Sequence, residues 1–256
     1  MTAVAALAAV AALAVLGWTL QIGPLAVVIM FGLAAAVLYA PVPTRPRRRG
    51  RGRCAGSPGA APAARARRLR TPAVRLASAL GIRTRRGRQA DNCAAGAAGE
   101  RYVAALLTEL EGEGWNFLYS RALPTGRADV DVFALSPRGC AYVLDAKQWS
   151  ARYRLQIVNG RLWHGDRDVT HRLDGLHHET RTVARLLGVD VIPVAVMVGP
   201  LTPGFQLVLD GIRIVPADDI CAVLRHLDAH RVPHPRRPNI HTVAHLLPPY
   251  QEGHRR

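Results

Sequence analysis

Residues 129–149 read DVDVFALSPRGCAYVLDAKQW. Two β-branched and aromatic runs, 129–135 and 141–146, flank a Pro-Arg-Gly turn at 137–139. Runs of this length around such a turn predict a β-hairpin. Side chains two apart on a strand share a face, so Asp129 pairs with Asp131, and Asp145 with Lys147. The hairpin sets the first pair beside the second. Asp and Lys are rarely buried in a sheet unless they are paired or bind a metal. Two carboxylates and an amine on adjacent strands make a hard-cation site with a phosphate-binding group beside it.

The amine is singular. Of 34 basic side chains, Lys147 is the only lysine; the rest are arginine. Arginine replaces lysine in surface charge and most ion pairs, but not as a compact, titratable amine. A leftover lysine without a role is about as credible from composition alone. The acids around it favour a role.

Outward from the hairpin, the sequence alternates between periods. Val103, Leu106, Leu107 and Leu110 recur at helical spacing within 98–112. Glu100 shares their inward side in the first turn, where its plain role is to offset the helix dipole. Runs at 115–120 and 153–158 read as strands, and Asn159-Gly160 as the turn of a further hairpin. A helix follows over 174–187, stopped by Gly188. Residues 190–198 and 206–214 read as one strand each, and 218–227 as a helix. The order predicts an α/β fold, a mixed sheet flanked by helices, over residues 93–228. Residues 229–256 read as a tail with weak pattern.

The N-terminal third differs in kind. Residues 1–90 hold no acidic residue and 15 arginines, all between Arg45 and Arg88, whereas 91–256 hold 19 basic and 18 acidic residues. The net charge of +16 therefore belongs to the N-terminal part, which excludes a uniformly basic, histone-like protein. Residues 2–20 and 25–40 carry no charge and are separated by Gln21 to Pro24. We read 1–41 as two transmembrane helices; a signal peptide with one span, or a single long span, are the alternatives. The arginines that follow place the rest of the chain in the cytoplasm, on a two-pass anchor in the cell membrane. Residues 42–92, rich in Arg, Pro, Gly and Ala, read as a disordered linker, with a short amphipathic helical turn at 72–82. The 45–88 arginine block suits anionic lipid and, as a sharper reading, nucleic-acid phosphate.

Cys54, Cys93, Cys140 and Cys221 form no C-x-x-C pair, so neither a disulfide scaffold nor a structural zinc site is expected. His177 and His178 are adjacent on the helix, about 100° apart, and do not share one ion readily. Trp149 and Trp163 suit packing better than base stacking.

The set Gly96-x-x-Gly99-Glu100, Val130 to Gly139 and Tyr142 to Trp149 resembles the NERD, or nuclease-related domain, family, a branch of the PD-(D/E)xK nuclease superfamily. The resemblance spans about residues 93–200 and implies a restriction-endonuclease-like fold. It implies metal-assisted hydrolysis of phosphodiesters, with Mg²⁺ or Mn²⁺ as cofactor and nucleic acid, DNA ahead of RNA, as substrate. Asp131 and Asp145 would be the metal ligands. Lys147 and Glu100 would be catalytic, and Gln148, Asp129 and Glu179 auxiliary. The family often has Glu where this chain has Asp145, and His where it has Val132. The competing function is a catalytically inactive module of the same fold that binds nucleic acid or a protein at the membrane. A soluble domain that only scaffolds other proteins is a third.

Overall fold

The computed structural model describes residues 56–124, 128–200, 204, 206–232 and 235–250. The two expected spans at 1–41, and the arginines up to Arg53, lie outside these residues. Among the described residues no helix is long and apolar enough to cross a membrane.

The chain begins with α1 (Ala60–Leu69), α2 (Pro72–Ala79) and the long α3 (Arg85–Leu106), followed by the single turn α4 (Thr108–Glu111). Strands β1 (Asn116–Ala122), β2 (Asp129–Leu135) and β3 (Ala141–Gln148) form an antiparallel meander. A small three-stranded sheet comes next: β4 (Leu155–Val158), β5 (Arg161–His164) and β6 (Arg167–Asp168). Helix α5 (Asp174–Leu187) leads into β7 (Val191–Val198), which runs parallel to β3. Strands β8 (Leu207–Leu209) and β9 (Ile212–Pro216), then α6 (Ile220–His230) and α7 (Ile240–Leu246), complete the fold. The main sheet is mixed and six-stranded, in the order β1-β2-β3-β7-β9-β8.

Alternation along the strands builds two cores. On one face Tyr142 and Leu144 of β3 pack with Val103 of α3, Leu107 just after it, and Val223 and Leu224 of α6. On the other, Val143 of β3 and Met197 of β7 pack with Leu176 and Val183 of α5 and with Leu155 and Leu162 of the small sheet. The chain is therefore an α/β fold with helices on both faces, as the alternation of periods predicts. Helix α5 has the predicted bounds, and Gly188 closes it at φ 63°, a conformation glycine adopts without a Cβ penalty.

Three expectations change. Residues 60–92 are not a disordered linker but mostly helical, broken at 70–71 and 80–84: α1 and α2 pack against α3, which begins at Arg85 rather than near 98. The small faces of Ala61, Ala64 and Ala66 let α1 lie close to α3, so burial is achieved without large apolar residues. The expected short helix at 72–82 is α2, with Thr71 capping it and Pro72 at its first position. The run 206–214 is two strands, turned at Asp210-Gly211, both at positive φ.

The C-terminal segment is also structured. The backbone of 248–250 lies along the outer edge of β1: Ala122 N donates to Pro248 O at 2.9 Å and Tyr250 N to Ser120 O at 2.8 Å. This covers an edge that would otherwise expose unpaired backbone groups. Arg121, fully buried, donates from Nε to Leu247 O at 2.5 Å and from Nη2 to Ala244 O at 2.7 Å. A buried guanidinium is tolerated there because it meets the carbonyls at the C-terminal end of α7.

Candidate active site

The pairing of β2 with β3 ends at Val132↔Leu144. Beyond it β2 continues against β1 alone, to Ala122↔Asp129, and β3 continues against β7 alone, to Gln148↔Val198. The sheet forks there. Asp129 and Asp131 stand on one prong, Asp145 and Lys147 on the other. The Asp131 side chain takes over where the ladder stops: its Oδ2 accepts a hydrogen bond from Ala146 N at 3.0 Å. Lys147 Nζ donates to Asp145 Oδ2 at 2.5 Å, with only 16% and 13% of the two side chains exposed.

Two helices close on the fork from opposite faces. Glu100, on α3, is buried, and its Oε2 accepts from Gly59 N at 3.0 Å, at the start of α1. Glu179, on α5, is half-buried and follows Leu176 on the inward side of that helix.

These groups lie close enough for each to act on the charge of others. Burial raises the Glu100 carboxyl to about 8, helped by Asp129 and Asp145 and opposed by the Gly59 amide. Glu179 is likewise raised to about 8, by burial first and then by Asp145, with Lys147 opposing. Burial pushes Asp131 well above the usual carboxylate range, and Glu100, Asp145, Glu179 and Asp129 add to it. Asp129 is raised by burial, while Arg65 on α1 pulls against that rise. Burial works against the charge on Lys147, but Asp145, then Asp131 and Glu179, more than offset it, so the ammonium is held above its ordinary range.

The structure thus brings together six predicted residues: Glu100, Asp129, Asp131, Asp145, Lys147 and Glu179. Gln148 is placed differently. Adjacent to Lys147 on a strand, it faces the other way, and its side chain lies against Gly99 of α3, where a Cβ would come within 3.3 Å of it. His178 is exposed and His177 half-buried, in keeping with a surface reading. Trp149 packs against the core and beside the His164 ring, with centroids 5.4 Å apart.

Sequence reasoning missed Gly59, Arg65 and Ser120. Ser120, buried at φ 46° in β1, accepts from Ala60 N through Oγ at 3.2 Å and so ties α1 to the strand beside Asp131. Nothing local in the sequence marks Ser120 or Gly59, since both act through a long-range contact.

Five carboxyl groups and one ammonium share a shielded space, several of the carboxyls holding their protons near neutrality, and every donor atom the carboxyls offer is an oxygen. That donor set suits a hard divalent cation. As placed, no three His, Cys, Asp or Glu side chains among the described residues form a ready ion cage. Asp145 is turned to Lys147 and Asp131 to the Ala146 amide.

A mixed six-stranded sheet flanked by helices, forked where acids and a solitary lysine meet, defines an α/β protein with a shielded acid-and-amine cluster. Residues 95–198 match the family described as NERD, nuclease-related domain, and this part of the chain is a nuclease-related domain. Neither the comparison with curated proteins nor that with solved structures gives a match.

Proposed function

We propose that the fork is the active centre of a metal-dependent nuclease with a restriction-endonuclease-like arrangement, and that Asp131 and Asp145 hold Mg²⁺ or Mn²⁺ there. The observation that carries this reading is the convergence of Glu100, Asp131, Asp145 and Lys147, from one helix and two strands, on one shielded space. A bound divalent cation would polarise the phosphoryl oxygen and lower the pKa of the attacking water. Water attacks phosphorus, the P–O bond to the leaving sugar oxygen breaks, and the leaving oxygen takes up a proton. The Lys147 ammonium, aimed by Asp145, donates hydrogen bonds to the oxygens that gain charge. Glu100, able to hold a proton near neutrality, moves one between water and the site. Glu179 and Asp129 complete the acidic wall. The substrate is nucleic acid, DNA ahead of RNA. The hairpin read in residues 1–41 would hold this centre at the cytoplasmic face of the cell membrane.

The test is cleavage of plasmid DNA, single-stranded DNA and RNA by the full chain with Mg²⁺, Mn²⁺ or EDTA, beside Lys147→Ala and Asp131→Ala. Cleavage that needs metal and is lost in both variants supports the proposal. Cleavage equal in the variants, or none with either metal, overturns it and leaves the binding module.

A further inference from the structure

We infer that the helices α1 and α2 and the start of α3 form a basic track that binds the phosphate backbone of nucleic acid and leads it to the fork. This rests on the nuclease reading of the fork, and concerns residues 56–92, outside the 95–198 domain match.

The first observation is attachment. The start of α1 is bonded into the candidate centre through Gly59 N to Glu100 and Ala60 N to Ser120. Its far end is tied to α3 by Arg70 Nη2 and Asp91 Oδ1, 3.0 Å apart. Helix α1 therefore runs along α3, from the acids outward. A ligand lying on it is a ligand of the centre.

The second is charge. Residues 56–92 hold nine arginines and one acid, Asp91, which is paired with Arg70. An ordinary solvated helical face mixes signs and gains from pairs three or four apart. Here three packed helices carry a large surplus of positive charge, and a polyanion answers such a surplus. Arg65 is exposed yet close enough to Asp129 to act on its carboxyl, which places one guanidinium at the rim of the acids. Further out, Arg70 and Arg75 line a hollow with Ser78, Gly87 and Asp91.

The third is length. From Glu100 back to Arg85 is 15 residues of one helix, about 22 Å at 1.5 Å per residue. That spans roughly six phosphates of one strand at 3.4 Å each. An anionic membrane would answer the charge equally. The bonding of α1 into the candidate centre favours a polyanion that must reach it.

The probe is a fluorescein-labelled oligonucleotide, titrated with the full-length chain in neutral detergent with EDTA, at several salt concentrations. The chains compared are the parent, a triple variant Arg65→Ala, Arg75→Ala, Arg86→Ala, and a control double variant Arg152→Ala, Arg154→Ala in the loop before β4. Each phosphate that the protein no longer neutralises lowers the salt slope by about 0.7 for single strands and about 0.9 for duplex. A slope reduced by two or more in the triple variant, and unchanged in the control, supports the track. Equal slopes in all three chains overturn it. So does a triple variant that keeps oligonucleotide affinity but loses its preference for phosphatidylserine-containing over pure phosphatidylcholine vesicles, since the arginines then serve lipid. Binding is read without metal or turnover, so a chain that grips the oligonucleotide but cleaves nothing sinks the nuclease reading and leaves the track standing. Helical content by circular dichroism checks that the triple variant is folded.

Discussion

At the fork a single amine faces five acids, and each property of Lys147 follows from that ratio. Its charge persists despite burial because Asp145 is in contact with it. Arginine would keep the charge but replace a compact donor with a planar fork that needs more room. Lys147→Arg is therefore expected to lower cleavage by about 10²-fold or more, the scale of losing one positioned donor to developing charge. Retention of parental activity would remove Lys147 from the mechanism.

The acids carry a pH prediction. Glu100 and Glu179 titrate near 8 in the folded chain, against an ordinary value of 4.5. Between those limits the folded state holds protons that the unfolded state releases. Stability without metal is thus greatest at the acid end of the window and falls as pH rises towards 8. Thermal melts in EDTA are expected to show the midpoint dropping from pH 5.5 to 8.5. The drop should be smaller in Glu179→Gln, and Mg²⁺ should raise the midpoint more at pH 8 than at pH 6. A midpoint that does not fall across this range would mean the acids do not share the space described.

At the scale of elements, α1 is the piece on which the candidate site depends from outside the 95–198 match. Gly59 holds φ 73° and stands so close to α3 that a Cβ would lie 2.6 Å from Ala97 O. Gly59→Val combines a left-handed strain of about 1–3 kcal/mol with that clash. It should lower the melting temperature, lift α1 and free Glu100. Unaltered hydrogen-exchange protection of α1 in this variant would contradict the contact.

What could be read beforehand divides along the same line. The β2–β3 hairpin, the Asn159-Gly160 turn and α5 are local, with a period and a punctuating glycine each. Asp131, Asp145 and Lys147 could be placed because their strands could; Glu100 was set correctly on the inward side of its helix, but in a first turn that lies fifteen residues inside α3. Helix α1 was not legible, because an Ala and Arg composition reads as solvated chain until α3 is beside it. The turn at Asp210-Gly211 was itself legible, since Asp-Gly between apolar runs signals a hairpin, but 206–214 reads as one strand if that dipeptide is passed over. Glu179 could be placed on the inward side of α5, but not opposite Glu100, which comes from the other face of the sheet.

At the scale of the molecule, both ends of the described chain meet on β1. Ser120 takes α1 through its side chain and residue 250 through its carbonyl, while Arg121 holds α7. The fold is therefore closed by long-range contacts at the prong that carries Asp131. Arg121→Ala would leave carbonyls of α7 without their donor and a void in the strand. A loss of about 3 kcal/mol is expected, typical of breaking a buried charged contact. Chemical denaturation measures it, and a change under about 1 kcal/mol would show that the C-terminal segment is not integral.

The solitary lysine also makes the chain a reporter on itself. An endoprotease that cuts only after lysine has one peptide bond to attack, between Lys147 and Gln148. In the folded protein that bond is in β3, in register with Met197 and Val198 of the neighbouring strand. Proteolysis requires an extended, unpaired backbone, so hydrolysis there waits for the fork to open. The rate at which two fragments, 1–147 and 148–256, appear on a gel would time the breathing of the candidate centre, with no label introduced.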